Sequence, residues 1–94
     1  MISLTQACEL AQAYFEKTTG TQGISNILQG ADYLIISNGL YGKRQVGGLI
    51  ILVNMQDGSI RMLRFPSKEG FALSEAAERI EVPQAFRRYA DESL

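Results

Sequence analysis

Gly48-Leu49-Ile50-Ile51-Leu52-Val53-Asn54-Met55-Gln56-Asp57-Gly58-Ser59-Ile60-Arg61-Met62-Leu63-Arg64-Phe65 consists of two β-prone runs around an Asp-Gly pair. Asp-Gly between hydrophobic runs is a hairpin signal, because a type I′ turn needs positive φ at both central residues. A two-residue turn at Asp57-Gly58 predicts that Met55 faces Ile60, Val53 faces Met62, Leu52 faces Leu63 and Ile50 faces Phe65. Alternation then puts Ile51, Val53, Met55, Ile60 and Met62 on one face, which ends at Arg64. Ile50, Leu52, Asn54, Arg61, Leu63 and Phe65 fall on the other. Both faces are substantially apolar, whereas a sheet with one wet face alternates more cleanly. Each face therefore needs cover, from this chain's helices or from another molecule.

Working outward, Ser3-Leu4-Thr5-Gln6 fits a capping box. Leu4, Ala7, Cys8, Ala11, Tyr14 and Phe15 recur at helical spacing, and Gly20 suits a left-handed end, so the sequence predicts a helix over 4–18. Its small inner residues allow close packing on a sheet. Residues 20–30 read as a loop with a short helical turn, in which Ile24, Ile27 and Leu28 form a satellite patch. Ala31–Ser37, centred on Tyr33-Leu34-Ile35-Ile36, reads as a strand that pairs with the hairpin. Pro66 ends the last strand, since it cannot donate to a ladder, and 67–70 reads as a turn. Leu73, Ala76, Ala77 and Ile80 predict a helix over 72–80, and Pro83 opens a last helical segment over 83–91, with Phe86, Tyr89 and Ala90 on one face. The expected fold class is α+β: one domain, 1–94, with an N-terminal helix on a three-stranded antiparallel meander followed by one or two short C-terminal helices.

Composition limits the chemistry. The chain has 94 residues, a formal charge of −1 and a pI near 5.3, which gives no bulk attraction to nucleic acid. It has no His and a single Cys, Cys8. Ser-His-Asp and Cys-His devices are therefore impossible, and no specific metal site or cofactor is expected. Cys8 belongs on the inner side of the first helix as a small hydrophobe. Glu75, Glu78 and Glu81 recur beside Arg79 as a solvated helical face. Gly42-Lys43 is followed by Arg44 and a strand, so it lacks the Ser/Thr and the helix that a phosphate loop needs. The N-terminus shows no secretory pattern and the longest apolar run is too short to span a bilayer, so the expected location is cytoplasmic.

A chain with these properties is expected to act by being bound. Tyr41, Lys43 and Arg44 in the glycine-rich stretch 38–48 form a candidate recognition loop for an acidic partner, since Tyr and Arg are enriched at interface hot spots. Arg61, Leu63 and Phe65 form a mixed apolar and cationic candidate face. The expected partner is a protein, with no nucleic acid and no membrane.

Ala7-Cys8-Glu9-Leu10-Ala11, Val46-Gly47-Gly48-Leu49-Ile50-Ile51-Leu52-Val53 and Gln56-Asp57-Gly58-Ser59-Ile60 together resemble the YrhB-like immunity proteins of bacteria over residues 4–65. The resemblance implies a helix with an Ala-rich inner face ahead of a three-stranded meander. It also implies a non-enzymatic protein that neutralises a cognate bacterial toxin by direct binding. It assigns no binding residue, because such proteins vary at their binding surfaces. The alternatives are a small assembly module that homodimerises through its sheet, and a small-ligand-binding domain.

Overall fold

Ser3 and Gly20 bracket the first element of the computed structural model, which describes residues 1–41, 49–64 and 66–89. The Ser3 side chain accepts from the Gln6 N–H while Gln6 reaches back to the Ser3 N–H, completing the expected capping box. Gly20 closes the helix in the left-handed region at φ 77°. Between them lies α1 (Leu4–Thr19), with Ala7, Cys8, Ala11 and Phe15 fully buried.

Among the described residues five antiparallel strands follow: β1 (Ile24–Gln29), β2 (Tyr33–Asn38), β3 (Ile50–Asn54), β4 (Ile60–Met62) and β5 (Glu78–Ile80). Their order across the sheet is β4-β3-β2-β1-β5. A second helix, α2 (Lys68–Glu75), separates β4 from β5, and a 3₁₀ turn at Gln84–Phe86 follows β5. The fold is α+β, as the residue pattern predicts, and β2-β3-β4 form the expected meander. None of the described helices is long and apolar enough to cross a membrane.

The sheet is wider than expected. Residues 24–29 form a strand, not a loop with a helical turn. A bulge at Ser25 shifts the register between Ile24 and Asn26. It turns Ile24 and Ile27 toward the same core, and both are fully buried there. Their spacing of three, which resembles a helical stripe, is that of a bulged strand.

The hairpin differs in register. The Asn54 N–H donates to the Ser59 carbonyl at 2.8 Å, and Val53, Leu52 and Ile51 face Ile60, Arg61 and Met62. The connection is a four-residue loop, 55–58, in which the Gly58 N–H reaches back to the Asn54 carbonyl at 2.7 Å. Only Gly58 has positive φ in that loop, so the type I′ turn is not formed. The Asn54 and Asp57 side chains accept from the N–H groups of Gln56 and Ser59 and fix the loop instead. A slip of two residues leaves every side chain on its expected face, whereas a slip of one reverses them all.

Beneath α1, Met62–Ile51–Ile36–Ile27–Ile80 run as one apolar row across all five strands. Ile27, Ile36 and Ile51 are fully buried, with Leu34 and Val53 in the next row. The opposite face carries a different row: Arg61–Leu52–Ile35–Leu28–Arg79. α2 is bonded to this second face through Tyr33 and Arg61. The Tyr33 hydroxyl donates to the Leu73 carbonyl at 2.8 Å, and Arg61 pairs with Glu69 at 2.8 Å. Ile35 and Leu63 are buried there, at 2% and 4% exposure.

The C-terminal elements also differ from expectation. Ser67 is the N-cap of α2 and accepts from the Gly70 N–H at 2.9 Å, so the expected turn at 67–70 is the first turn of the helix. The helix ends at Glu75, not at residue 80. Ile80 is apolar because it faces Ile27 across a strand pair. The described part of 83–91 holds a single 3₁₀ turn instead of a helix. Glu75, Glu78 and Glu81 are exposed, as expected, but they are distributed over a helix end, a strand and a loop.

Candidate binding site

Asn38 ends β2 and organises the region where the site forms. Its buried Nδ2 donates to the Gly23 carbonyl at 3.0 Å, and the Gly39 N–H donates to the same oxygen at 3.1 Å. Thr21 Oγ1 donates to Asn38 Oδ1 at 3.3 Å, so one amide ties the start of β1 to the end of β2. Three residues on, the Tyr41 N–H donates to the Arg88 carbonyl at 2.7 Å and draws the C-terminal segment alongside.

That segment is turned back on itself. Phe86 and Arg87 donate their N–H groups to the carbonyls of Pro83 and Gln84. The turn returns Arg87 to the strand end, where its Nε donates to the Val82 carbonyl at 2.7 Å. The Arg87 guanidinium lies 4.3 Å from the centre of the Tyr41 ring, and the Tyr41 and Tyr89 rings meet edge to face at 5.8 Å. Glu81 approaches Arg87 at 3.6 Å from a largely exposed position. Tyr89 is 59% exposed, Tyr41 half-buried.

A groove of about 330 Å³ lies against this cluster, between Ser25–Asn26, Tyr41 and Arg79–Val82. The strand lengths explain it. β1 runs from Ile24 to Gln29, but β5 pairs only with Ile27–Gln29, so the chain leaves the sheet alongside Ser25 and Asn26. Val82 is buried at the floor, while Arg79 and Glu81 are exposed at the rim.

Of the residues expected from the sequence, Tyr41 belongs to this cluster. Arg61 is on β4, the opposite edge strand, engaged by Glu69, and Leu63 is buried just beyond it. The structure therefore brings Arg61 and Leu63 close in sequence and space but not to Tyr41. Lys43, Arg44 and Phe65 lie outside the described residues. Asn26, Arg79, Arg87 and Tyr89 were not among the expected site residues. Arg87 and Tyr89 fall within the expected helical segment 83–91, whereas Arg87 leaves the 3₁₀ turn in extended backbone, for which a spacing of two puts both residues on one side.

Five described groups have displaced acidity, and each moves away from neutrality. Burial pushes the Cys8 thiol up to about 11. The N–H of Ser59 lowers Asp57, and the hydrogen bond from Arg61 lowers Glu69. Glu69 in turn raises Arg61, and the Tyr89 hydroxyl raises Arg87.

Compared with protein-family models, curated proteins and solved structures, the chain matches none.

Proposed function

We propose that this chain is a non-enzymatic binding protein that engages a protein partner through the Tyr41–Arg87–Tyr89 cluster and its groove. The carrying observation is Arg87, held over the Tyr41 ring by the Val82 carbonyl, with Tyr89 presented edge-on beside it. Rigid aromatic side chains next to an arginine are the composition from which interface hot spots are built. Groups poised for acid–base work have acidities drawn toward the working pH, and the displaced groups here move the other way.

The resemblance to YrhB-like immunity proteins supplies the partner class: a bacterial toxin neutralised by direct binding. Co-expression with the product of the adjacent open reading frame tests this reading. The expected outcome is relief of toxicity and a stoichiometric complex, both lost when Tyr41 and Tyr89 become alanine in a chain that stays folded. Relief that survives the double substitution, or the absence of any complex, contradicts it. Self-association through the sheet is the weaker alternative, because it has to displace α2 from the bonds with Tyr33 and Arg61.

A further inference from the structure

We propose that the groove beside β5 takes an extended acidic peptide of the partner, with Arg79 pairing its carboxylate and Asn26 bonding next to it. This deepens, and rests on, the reading of the cluster as a partner-binding site.

The two arginines that end the row Arg61–Leu52–Ile35–Leu28–Arg79 differ in use. Arg61 is occupied by Glu69 at 2.8 Å. Arg79 makes no ion pair or hydrogen bond through its side chain among the described residues, and it stands exposed at the rim of the groove. Glu81, two residues on and lining the same groove, approaches Arg87 at 3.6 Å. Asn26 precedes Leu28 by two on the same face, so its amide is the diagonal neighbour of Arg79 across the β1–β5 pair. The groove runs along the sheet edge, lined by Arg79, Asn26 and Glu81, which alternation puts on one face of the β1–β5 pair, and by Tyr41, Ile80 and Val82 on the core side. A guanidinium with its fork free matches a carboxylate in two parallel hydrogen bonds. The adjacent amide can both donate to and accept from a peptide backbone. The open, strand-flanked shape suits an extended chain.

The test uses the full chain, ¹⁵N-labelled, titrated with acetylated hexaglutamate, with hexalysine and inorganic phosphate as comparisons. The expected result is saturable shifts of the Arg79 Nε–H and Asn26 Nδ2 signals with hexaglutamate alone. Affinity should fall about tenfold in Arg79→Gln, the loss of one charge-assisted pair, and be unchanged in Lys17→Gln on the exposed side of α1. Absence of saturation overturns the inference, as does equal binding by Arg79→Gln, or a response to phosphate but not to hexaglutamate. With a native partner in hand, loss of binding in the Tyr41/Tyr89 double variant but not in Arg79→Gln overturns the carboxylate pairing and leaves the binding function standing. Retention by both overturns both.

Discussion

The Tyr33 hydroxyl donates a 2.8 Å hydrogen bond to the backbone carbonyl of Leu73, across forty residues of chain. Leu73 lies near the C-terminal end of α2, where helix carbonyls lack partners within the helix. The bond therefore satisfies an otherwise orphaned acceptor and anchors the helix to the sheet face opposite α1. Tyr33 is itself held by close packing of its ring on Gly30, where even a Cβ would clash with the ring. Tyr33→Phe is expected to cost about 1 kcal/mol, the usual net value of such a bond. Hydrogen exchange should speed up in α2 ahead of the rest of the molecule. Uniform exchange across the chain would show that the anchor is not local.

Leu52 occupies the middle of the second face, between Ile35 and Arg61. Because α2 closes over that face, Leu52→Asp should lower stability by about 2 kcal/mol, the cost of placing a carboxylate beside buried Ile35 and an Arg61 already paired with Glu69. On the other face, Ile36→Ala should cost about 2–5 kcal/mol, as the site is fully buried in the five-strand row. Met62→Ala, at 51% exposure on the edge strand, should stay within about 0.5 kcal/mol. Urea denaturation of the three variants checks the ranking. A Leu52→Asp variant as stable as wild type contradicts cover from within the chain.

Much of this layout is legible in the residues. Ser3, Gln6 and Gly20 announce α1 because caps act within a few residues of their own position. The faces of the hairpin are legible because alternation is local, and they survive the two-residue change of register at Gly58. What is not legible depends on events elsewhere in the chain. The Ser25 bulge gives β1 a helical-looking spacing, and only pairing with Ile36 and Ile80 reveals it as a strand. Likewise Ile80 extends the stripe of Leu73, Ala76 and Ala77 although it belongs to a three-residue strand that exists by docking on β1. Tyr41 stands out as an aromatic in a glycine-rich stretch. Arg79 does not, because its place in the groove follows from β5 being a strand.

Gly20 and Gly23 both have positive φ, at 77° and 115°, but in different surroundings. Nothing lies within 4 Å of a Cβ placed on Gly20, so Gly20→Ala should cost only the left-handed strain of about 1 kcal/mol. A Cβ on Gly23 would come within 2.7 Å of the Arg88 Cβ and 2.9 Å of the Gly39 carbonyl. Gly23→Ala should therefore cost more and should also loosen the 84–89 segment from Tyr41. Thermal melts, with near-ultraviolet circular dichroism of the tyrosines, separate the two. Equal effects contradict the packing of the C-terminal segment on Gly23.

The Cys8 thiol is raised from 9.0 to about 11 by burial, so the folded state holds its proton where the unfolded state has lost it. Between pH 9 and 11 the native chain binds more protons, and stability falls as pH rises. The effect is of order 1–2 kcal/mol and should disappear in Cys8→Ala. Asp57 and Glu69 have the opposite sign. Their lowered pKa values add stability above the ordinary carboxylate range that is lost as pH falls through it, and both are solvent-exposed, so that loss is small. Melting temperatures from pH 3 to 11 should show a broad plateau with a Cys8-dependent alkaline decline. An alkaline decline unchanged in Cys8→Ala contradicts the burial argument.

The central claim is that the partner seats on the Tyr41–Arg87–Tyr89 cluster and its groove, and not on the β4–α2 side of the sheet. Hydrogen exchange of the chain alone and in complex with its partner tests this most directly. The account predicts new protection concentrated at 25–26, 79–82 and 86–89. Protection confined to 60–63 and 68–75 would contradict it.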